Sequence, residues 1–385
     1  MTPRTGQKNA SFFEPFMDAA IALAEQGRWS VCPNPVVGAV LVRNGHIAAQ
    51  GFHSAYGQPH AEAQCLRDAA EKGVNPADCT LCVTLEPCRH HGKAPPCTQA
   101  ILKAGIRRVV VGLLDPHPQA GGGTKWMQEQ GIEVHTGIRE QACRDLAADF
   151  LVWQQEQRPY LILKLASTLD GRIATRNRHA QWINGEASRA LVHELRASIG
   201  GCGGAVLIGG NTLYADNPLL TARPLPAGYR QPLACILTSR LPKPADKLHL
   251  LHQRPEQCVF LCPRELAASQ DAEALRGIGA HVHGLDAART HKGLDLHAGL
   301  RLLWKDHACF YVLCEGGGKL ALSLLEQALV DEFRLHTAAR ILGDNAALPL
   351  FDGRAPLRMD QSLNLRICSL SMCGEDAHIV LRPRV

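Results

Sequence analysis

Phe13, Phe16, Met17, Ala20, Leu23 and Ala24 recur at helical spacing, and the run stops at Gly27, which predicts an amphipathic helix. The apolar run Ala39-Val40-Leu41-Val42 follows, then Asn44-Gly45, then a second apolar run from Ile47 to Phe52. An Asn-Gly pair between two such runs predicts a hairpin. The next helix is expected to open at His60-Ala61-Glu62 and to continue through Ala63, Leu66 and Ala70. Leu81–Leu85 reads as a strand, Cys97–Ala104 as a helix ended by Gly105, and Val109–Gly112 as another strand. This alternation predicts an α/β/α sandwich over residues 1–150.

The pattern breaks at residues 151–159, polar after their first few positions and closed by Pro159, which we read as a linker. A second α/β domain is expected over 160–385. Tyr160–Ala166 reads as a strand leading into the polar turn Ser167–Arg172. Helical spacing returns at Ala190, Leu191, Glu194 and Leu195. Ala205–Ile208 is a strand running into Gly209-Gly210-Asn211-Thr212, and Cys309–Cys314 is another, followed by Glu315-Gly316-Gly317-Gly318 and a helical stripe from Leu320 to Leu329. Two glycine turns, each after an apolar strand, suit phosphate binding by backbone N–H groups.

Composition narrows the class. At 385 residues with 46% hydrophobic and 20% charged positions, the chain has the make-up of a globular protein with two cores. A net charge of +5 without a dense Lys/Arg block argues against a nucleic-acid partner. The 15 cysteines are odd in number and many sit in apolar runs, which suits a reducing compartment. No apolar leader core or membrane-length run stands out, so we expect a cytoplasmic protein with no membrane partner.

The chemistry concentrates between His60 and Cys97. His60, Cys88 and Cys97 offer one imidazole and two thiols, a set suited to Zn²⁺ that leaves a fourth position for water. Glu62, two residues from His60, is placed to move protons. The expected helix starts also put the three ligands where partial positive charge favours thiolates. Zinc nucleobase deaminases carry His-x-Glu with Pro-Cys-x-x-Cys. Here eight residues separate the cysteines, among them the basic loop Arg89–Lys93, which favours an anionic substrate.

The wide gap fits one family. The motifs Asn34-Pro35-x-Val37-Gly38, Gly51-x-His53, Gly57-x-Pro59-His60-Ala61-Glu62 and Glu86-Pro87-Cys88-x-His90-x-Gly92-Lys93-x-Pro95-Pro96-Cys97 stand in the first half. The second half shows Lys164-x-Ala166, Leu169-Asp170-Gly171, Gln181-Trp182-Ile183, Arg196, Asp216-x-Pro218-x-Leu220-Thr221-x-Arg223 and Glu315-Gly316-Gly317. Over nearly its whole length the chain resembles the bifunctional deaminase/reductase family of riboflavin biosynthesis.

That resemblance implies a cytidine-deaminase-like α/β/α sandwich followed by a dihydrofolate-reductase-like α/β domain. It implies zinc-dependent hydrolysis of the 2-amino group of 2,5-diamino-6-(5-phosphoribosylamino)pyrimidin-4-one, then NADPH-dependent reduction of the ribosyl group of the uracil product to ribityl. His60, Cys88 and Cys97 would hold zinc, Glu62 would shuttle protons, and Asn34, His53, His90 and Lys93 would contact the first substrate. Lys164, Ala180, Arg196, Leu220, Arg223 and Glu315 map to the reductase substrate, Arg196 and Arg223 being suited to its phosphate. Ala166, Trp182, Thr212, Asp216, Ser239, Gly317 and Gly318 map to NADPH. The expected partners are this small molecule and a second copy of the chain.

The chain departs from the family pattern at Ala180, where serine is common, at Asn211 and Asn217, and in the glycine-rich stretch 199–204. Two other readings compete: a zinc deaminase of another nucleobase or nucleoside with a non-catalytic second half, and a zinc-stabilised nucleotide-binding module without catalysis.

Overall fold

The computed structural model describes residues 5–89, 95–116, 121–289 and 293–384. The chain divides into two compact units, Met1–Glu156 and Gln157–Val385. Among the described residues, no helix is long and apolar enough to cross a membrane.

In the first unit, α1 (Thr5–Ala24) precedes β1 (Gly38–Arg43) and β2 (His46–Phe52). Then come α2 (Ala61–Glu71), β3 (Thr80–Leu85), α3 (Cys97–Lys103), β4 (Arg108–Leu113), α4 (Gly123–Glu129), β5 (Glu133–Thr136), α5 (Glu140–Leu146) and α6 (Ala148–Glu156). The strands form one five-stranded sheet, ordered β2-β1-β3-β4-β5. Asn44 and Gly45 take φ values of 53° and 77° between paired Arg43 and His46, the backbone a two-residue hairpin needs and the reason this turn is legible.

The strands' period of two sorts the unit into two cores. Ala39, Leu41, Leu81, Val83, Val109 and Val111 pack with Ala61, Cys65, Ile101 and Met127 on one face. Val40, Val42, Cys82 and Val110 pack with Phe13, Met17, Ala20, Cys143 and Ala147 on the other. The α/β/α sandwich follows from that alternation.

The linker read at 151–159 is corrected by the fold. Residues up to Glu156 continue α6, with Leu151 and Trp153 buried, and strand structure resumes at Tyr160. The apolar positions Phe150, Leu151 and Trp153 anchor this short helix, and Gln154, Gln155 and Glu156 form its solvated end.

The second unit begins with β6 (Tyr160–Thr168) and β7 (Arg172–Ala174). It continues through α7 (Glu186–Gly201), β8 (Ala205–Gly209), α8 (Gly210–Asp216), β9 (Leu233–Leu237), α9 (His249–Gln253), β10 (Cys258–Pro263), α10 (Arg264–Ala267), α11 (Gln270–Gly277) and β11 (His281–Leu285). After these come α12 (Leu296–His307), β12 (Tyr311–Cys314), α13 (Gly318–Glu326), β13 (Glu332–Ala338), β14 (Leu348–Pro349), β15 (Leu365–Cys373) and β16 (Asp376–Pro383). Nine strands form one sheet in the order β11-β10-β9-β8-β12-β6-β13-β16-β15. All neighbours from β11 to β13 are parallel, and the C-terminal hairpin adds two antiparallel strands.

Chain order reverses at the centre of this sheet, because β12 returns between β8 and β6. The carboxyl ends of strands at such a reversal form the crevice where open α/β sheets take ligands. Leu161, Leu163 and Leu165 of β6 enter the core shared with α12 and α13. Lys164 and Ala166 therefore point to the opposite face.

The glycine-rich stretch 199–204 has a steric cause. A Cβ on Gly200 would stand 2.1 Å from the Arg230 carbonyl oxygen, and one on Gly204 would stand 2.5 Å from that of Tyr311. The end of α7 is thus packed backbone to backbone, which only glycine allows.

Candidate active sites

β3 ends in Glu86-Pro87-Cys88, α3 begins at Cys97, and His60 is the N-cap of α2. These three chain ends converge. Nδ1 of His60 lies 3.6 Å from Sγ of Cys88 and 3.4 Å from Sγ of Cys97. With bond lengths of about 2.0 Å to nitrogen and 2.3 Å to sulfur, a tetrahedral zinc would need about 3.6 Å between such donors. The side chains fit the metal as they stand.

Local bonds hold this arrangement. The Cys97 N–H donates to Sγ of Cys88 at 3.4 Å, and the Thr98 N–H and hydroxyl both donate to the Cys88 carbonyl at 3.3 Å. The hydrogen bond between the thiols holds Cys88 down to about 4 and pushes Cys97 up, while the bond to Cys88 raises His60. One thiolate is thus already favoured at neutral pH.

Glu62 lies in the first turn of α2 and is buried. Burial pushes its carboxyl up, and the Cys88 thiolate adds to that. Beside it, His53 is buried with its ring edge-on to His60, the centroids 5.4 Å apart. Nδ1 of His53 faces the Pro59 carbonyl at 3.2 Å, so that nitrogen carries the proton and Nε2 accepts from the Asn34 amide at 3.0 Å. Asn34 and His53 therefore come together as a pair, whereas His90 and Lys93 lie outside the described residues.

Glu86 is a supporting residue that the motif pattern alone does not reveal. It is buried, and its carboxylate accepts from the Thr124 N–H at 2.8 Å, the Thr124 hydroxyl at 2.7 Å and the Asp115 N–H at 3.1 Å. Two residues from Cys88, it ties that loop to the start of α4. A carboxylate at the end of an apolar strand run is the signal that could have found it.

In the second unit, the candidate residues gather at the carboxyl ends of adjacent strands. Lys164 and Ala166 project from β6, Glu315 follows β12, and Ser239 lies just past β9; the turn expected at Gly209–Thr212 is instead the start of α8, with Gly209 its N-cap and Thr212 in its first turn. Glu315 accepts from Arg196 of α7 through two bonds of 2.7 and 2.9 Å, and Arg196 also donates to the Thr221 carbonyl at 3.1 Å. Three of its five N–H groups are thereby engaged, so Arg196 fits holding Glu315 better than holding a phosphate. Arg223 is exposed and better suited to that task.

Burial pushes Glu315 up, but Arg196, with Lys164 and His193, outweighs it and the carboxyl stays low; burial lowers Lys164. Leu220 is buried in left-handed backbone at φ 55° beside this group. Trp182 is exposed with the Arg189 guanidinium 4.7 Å over its ring, its carbonyl accepting from Arg340, and Ala180 precedes it in the same loop.

The glycine turns suit a dinucleotide's phosphates. Gly317 caps α13 with open space where a Cβ would be. Gly210 abuts Thr238, where a Cβ would stand 2.4 Å from the hydroxyl, which holds the start of α8 close to the end of β9. Asp216 is the last residue of α8. Asn217 serves the backbone: its amide donates to the Lys247 carbonyl at 2.9 Å and its oxygen accepts from the His249 N–H at 2.8 Å. An aspartate could not do both.

Residues 11–113 match the cytidine and deoxycytidylate deaminase zinc-binding region, and residues 159–379 match the RibD C-terminal domain. The riboflavin biosynthesis protein RibD of Aquifex aeolicus (strain VF5) is 36% identical over 368 residues, which cover 95% of this chain and 97% of that protein. RibD of Escherichia coli (strain K12) is 36% identical over 346 residues, 86% of this chain and 89% of its own. Among solved structures, Acinetobacter baumannii RibD (form 1) matches with a TM-score of 0.74 at 33% identity, over 98% of this chain and 100% of that one. A diaminohydroxyphosphoribosylaminopyrimidine deaminase/5-amino-6-(5-phosphoribosylamino)uracil reductase from Thermotoga maritima matches with a TM-score of 0.76 at 33% identity, over the same shares of both chains.

Proposed function

The chain belongs to the RibD family of riboflavin biosynthesis, and on that footing we propose how its two sites divide the work of a bifunctional deaminase and reductase. The first unit deaminates 2,5-diamino-6-(5-phosphoribosylamino)pyrimidin-4-one at its 2-amino group. The second reduces the ribosyl group of 5-amino-6-(5-phosphoribosylamino)uracil to ribityl, using NADPH.

The observation that carries the first assignment is the convergence of His60, Cys88 and Cys97 with Glu62 in the first turn of α2. Those three side chains would hold zinc, which when bound supplies Lewis-acid activation of water. Glu62 takes the proton from the attacking water and returns it to the departing amine, so that ammonia leaves and a carbonyl remains. Its burial keeps bulk water from competing for that proton. The Asn34–His53 pair, fixed in one tautomer, presents polar edges to the pyrimidine, and His90 and Lys93 complete the contacts from the basic loop.

In the second unit, NADPH supplies the hydride. Ala166, Trp182, Thr212, Asp216, Ser239, Gly317 and Gly318 would hold it along the strand ends. Lys164, Ala180, Leu220 and Glu315 face the sugar, with Arg196 locking Glu315 in orientation and Arg223 taking the phosphate. Holding the sugar carbon beside the cofactor is the main task of these residues.

Two further parts of the reading concern context. Fifteen thiols, most of them buried, suit a cytoplasmic enzyme. A homo-oligomer is supported by the edge strand β15, which leaves Ile367, Leu370 and Met372 exposed. Light scattering of the purified chain tests the oligomer.

The decisive experiment is a two-step assay. Full-length protein should release ammonia from the diaminopyrimidine phosphate, then oxidise NADPH with the product. Absence of NADPH oxidation at every substrate concentration would remove the reductase assignment and leave the deaminase one standing.

A further inference from the structure

A second cluster of metal-ligating side chains lies in the second unit and shares no residue with either site above. His281 and His283 stand two apart on β11, the edge strand of the nine-stranded sheet, so their side chains share one face. α12 packs against that strand, and His307 is its last residue. Nε2 of His283 lies 3.0 Å from Nε2 of His307, and the His281 ring stands edge-on to that of His307 with centroids 4.9 Å apart. One nitrogen from each ring lies within 4.8 Å of the others.

The surroundings favour a cation. The carboxyl end of a helix carries partial negative charge, and Asp306 acts on both His283 and His307, against the weaker opposing charge of Arg276 at His283. Two neutral rings facing through Nε2 share a single N–H···N bond, and moving that proton to Nδ1 turns both lone pairs inward. His281 is exposed and the other two are half-buried, which leaves a path from solvent. The supports are rigid: Ala308 closes α12 in left-handed backbone, and Cys309 behind it is buried.

We propose that His281, His283 and His307 bind one divalent transition-metal ion and thereby pin the carboxyl end of α12 to the edge strand β11. Three imidazoles with no carboxylate among them select ions of the zinc, nickel and copper class over magnesium or calcium. The ion covers part of an edge strand and replaces the single His283–His307 hydrogen bond with a bridge from all three rings. A fourth position stays open to water or to a donor from outside the chain.

The test uses the untagged full-length chain, because a polyhistidine tag would bind the same ions. Metal content by mass spectrometry, after dialysis against buffered Zn²⁺, should be two ions per chain for wild type and one for Cys88→Ser. In the Cys88→Ser background, competition with a zinc-binding dye should show His281→Ala and His283→Ala each weakening the remaining site at least about tenfold. The thermal midpoint of the Cys88→Ser protein should rise with added Zn²⁺, and that rise should vanish in Cys88→Ser/His281→Ala. His281 is exposed, so its removal leaves the fold intact even where His283→Ala does not. One ion per wild-type chain with none left in Cys88→Ser, or affinity unchanged in both histidine variants, would overturn the proposal. Failure of the deaminase zinc site would show differently, as a Cys88→Ser chain holding the same metal as wild type.

Discussion

Arg196 closes on Glu315 fork to fork, Nε to one carboxylate oxygen at 2.7 Å and Nη2 to the other at 2.9 Å. Both side chains are largely shielded from water, at 15% and 13% exposure. Removing the charge of one member of a shielded pair leaves the other uncompensated, at about 3 kcal/mol. Glu315→Gln keeps the shape but turns an amide N–H toward the guanidinium, and Lys164 loses its neighbouring carboxylate. NADPH oxidation should fall by about 10²-fold with ammonia release unchanged. Arg196→Lys, which cannot make the fork, should do the same. A Glu315→Gln enzyme with wild-type NADPH oxidation would show that the pair is structural only.

A pH effect follows from His336. Its ring is buried and stacked on His378 with centroids 3.7 Å apart, and its Nδ1 has no partner. Burial, then Lys164, His378 and Arg334, lower it from 6.5 to about 2. The unfolded chain therefore takes up the proton first as pH drops. The stability tied to the neutral ring is whole above about 6.5 and is lost below it, at no more than about 1.4 kcal/mol per pH unit. Urea unfolding at pH 7 and at pH 5.5 should show His336→Gln losing less stability on acidification than wild type, by about one proton's worth. Equal slopes in the two proteins would refute this.

Much of this was legible in the sequence because the signals are local. The Asn44-Gly45 turn, the helix starting at His60 and the strand running into Cys88 each follow from a few neighbouring residues. What escaped depends on tertiary packing. Glu86 takes its meaning from Thr124 and Asp115, and His281, His283 and His307 meet only because α12 lies back across β11. Asp170 shows the same limit: in the polar turn Ser167–Arg172, its carboxylate accepts from the Thr168 hydroxyl and from the Gly343 and Leu342 N–H groups and is held at about 2. The polar tail of 151–159 hid a helix, because three apolar anchors are too few for a clear period.

Gly51 makes a steric prediction for the metal centre. A Cβ there would stand 2.3 Å from the Cys65 amide nitrogen and 2.7 Å from the Ala61 carbonyl oxygen, both backbone atoms of α2. Gly51→Ala must push that helix away from β2, and His60 and Glu62 ride on its first turn. The cost should be about 1–3 kcal/mol in the first unit, accompanied by weaker zinc binding. Calorimetry and zinc competition check both, and a variant with wild-type zinc affinity would show that α2 yields without moving its amino end.

Glu62 gives the last prediction, which separates holding the metal from using it. Glu62→Gln preserves volume and removes the proton acceptor, while the three ligands His60, Cys88 and Cys97 stay untouched. Ammonia release should fall by about 10²–10⁴-fold. Zinc content at the cysteine site and the melting temperature should hold or rise, since a buried carboxyl raised by desolvation is exchanged for a neutral amide. NADPH oxidation with the deaminated substrate should be unchanged, because it belongs to the other unit. Zinc loss in this variant would make Glu62 part of the metal's support, and retained ammonia release would move the proton carrier elsewhere.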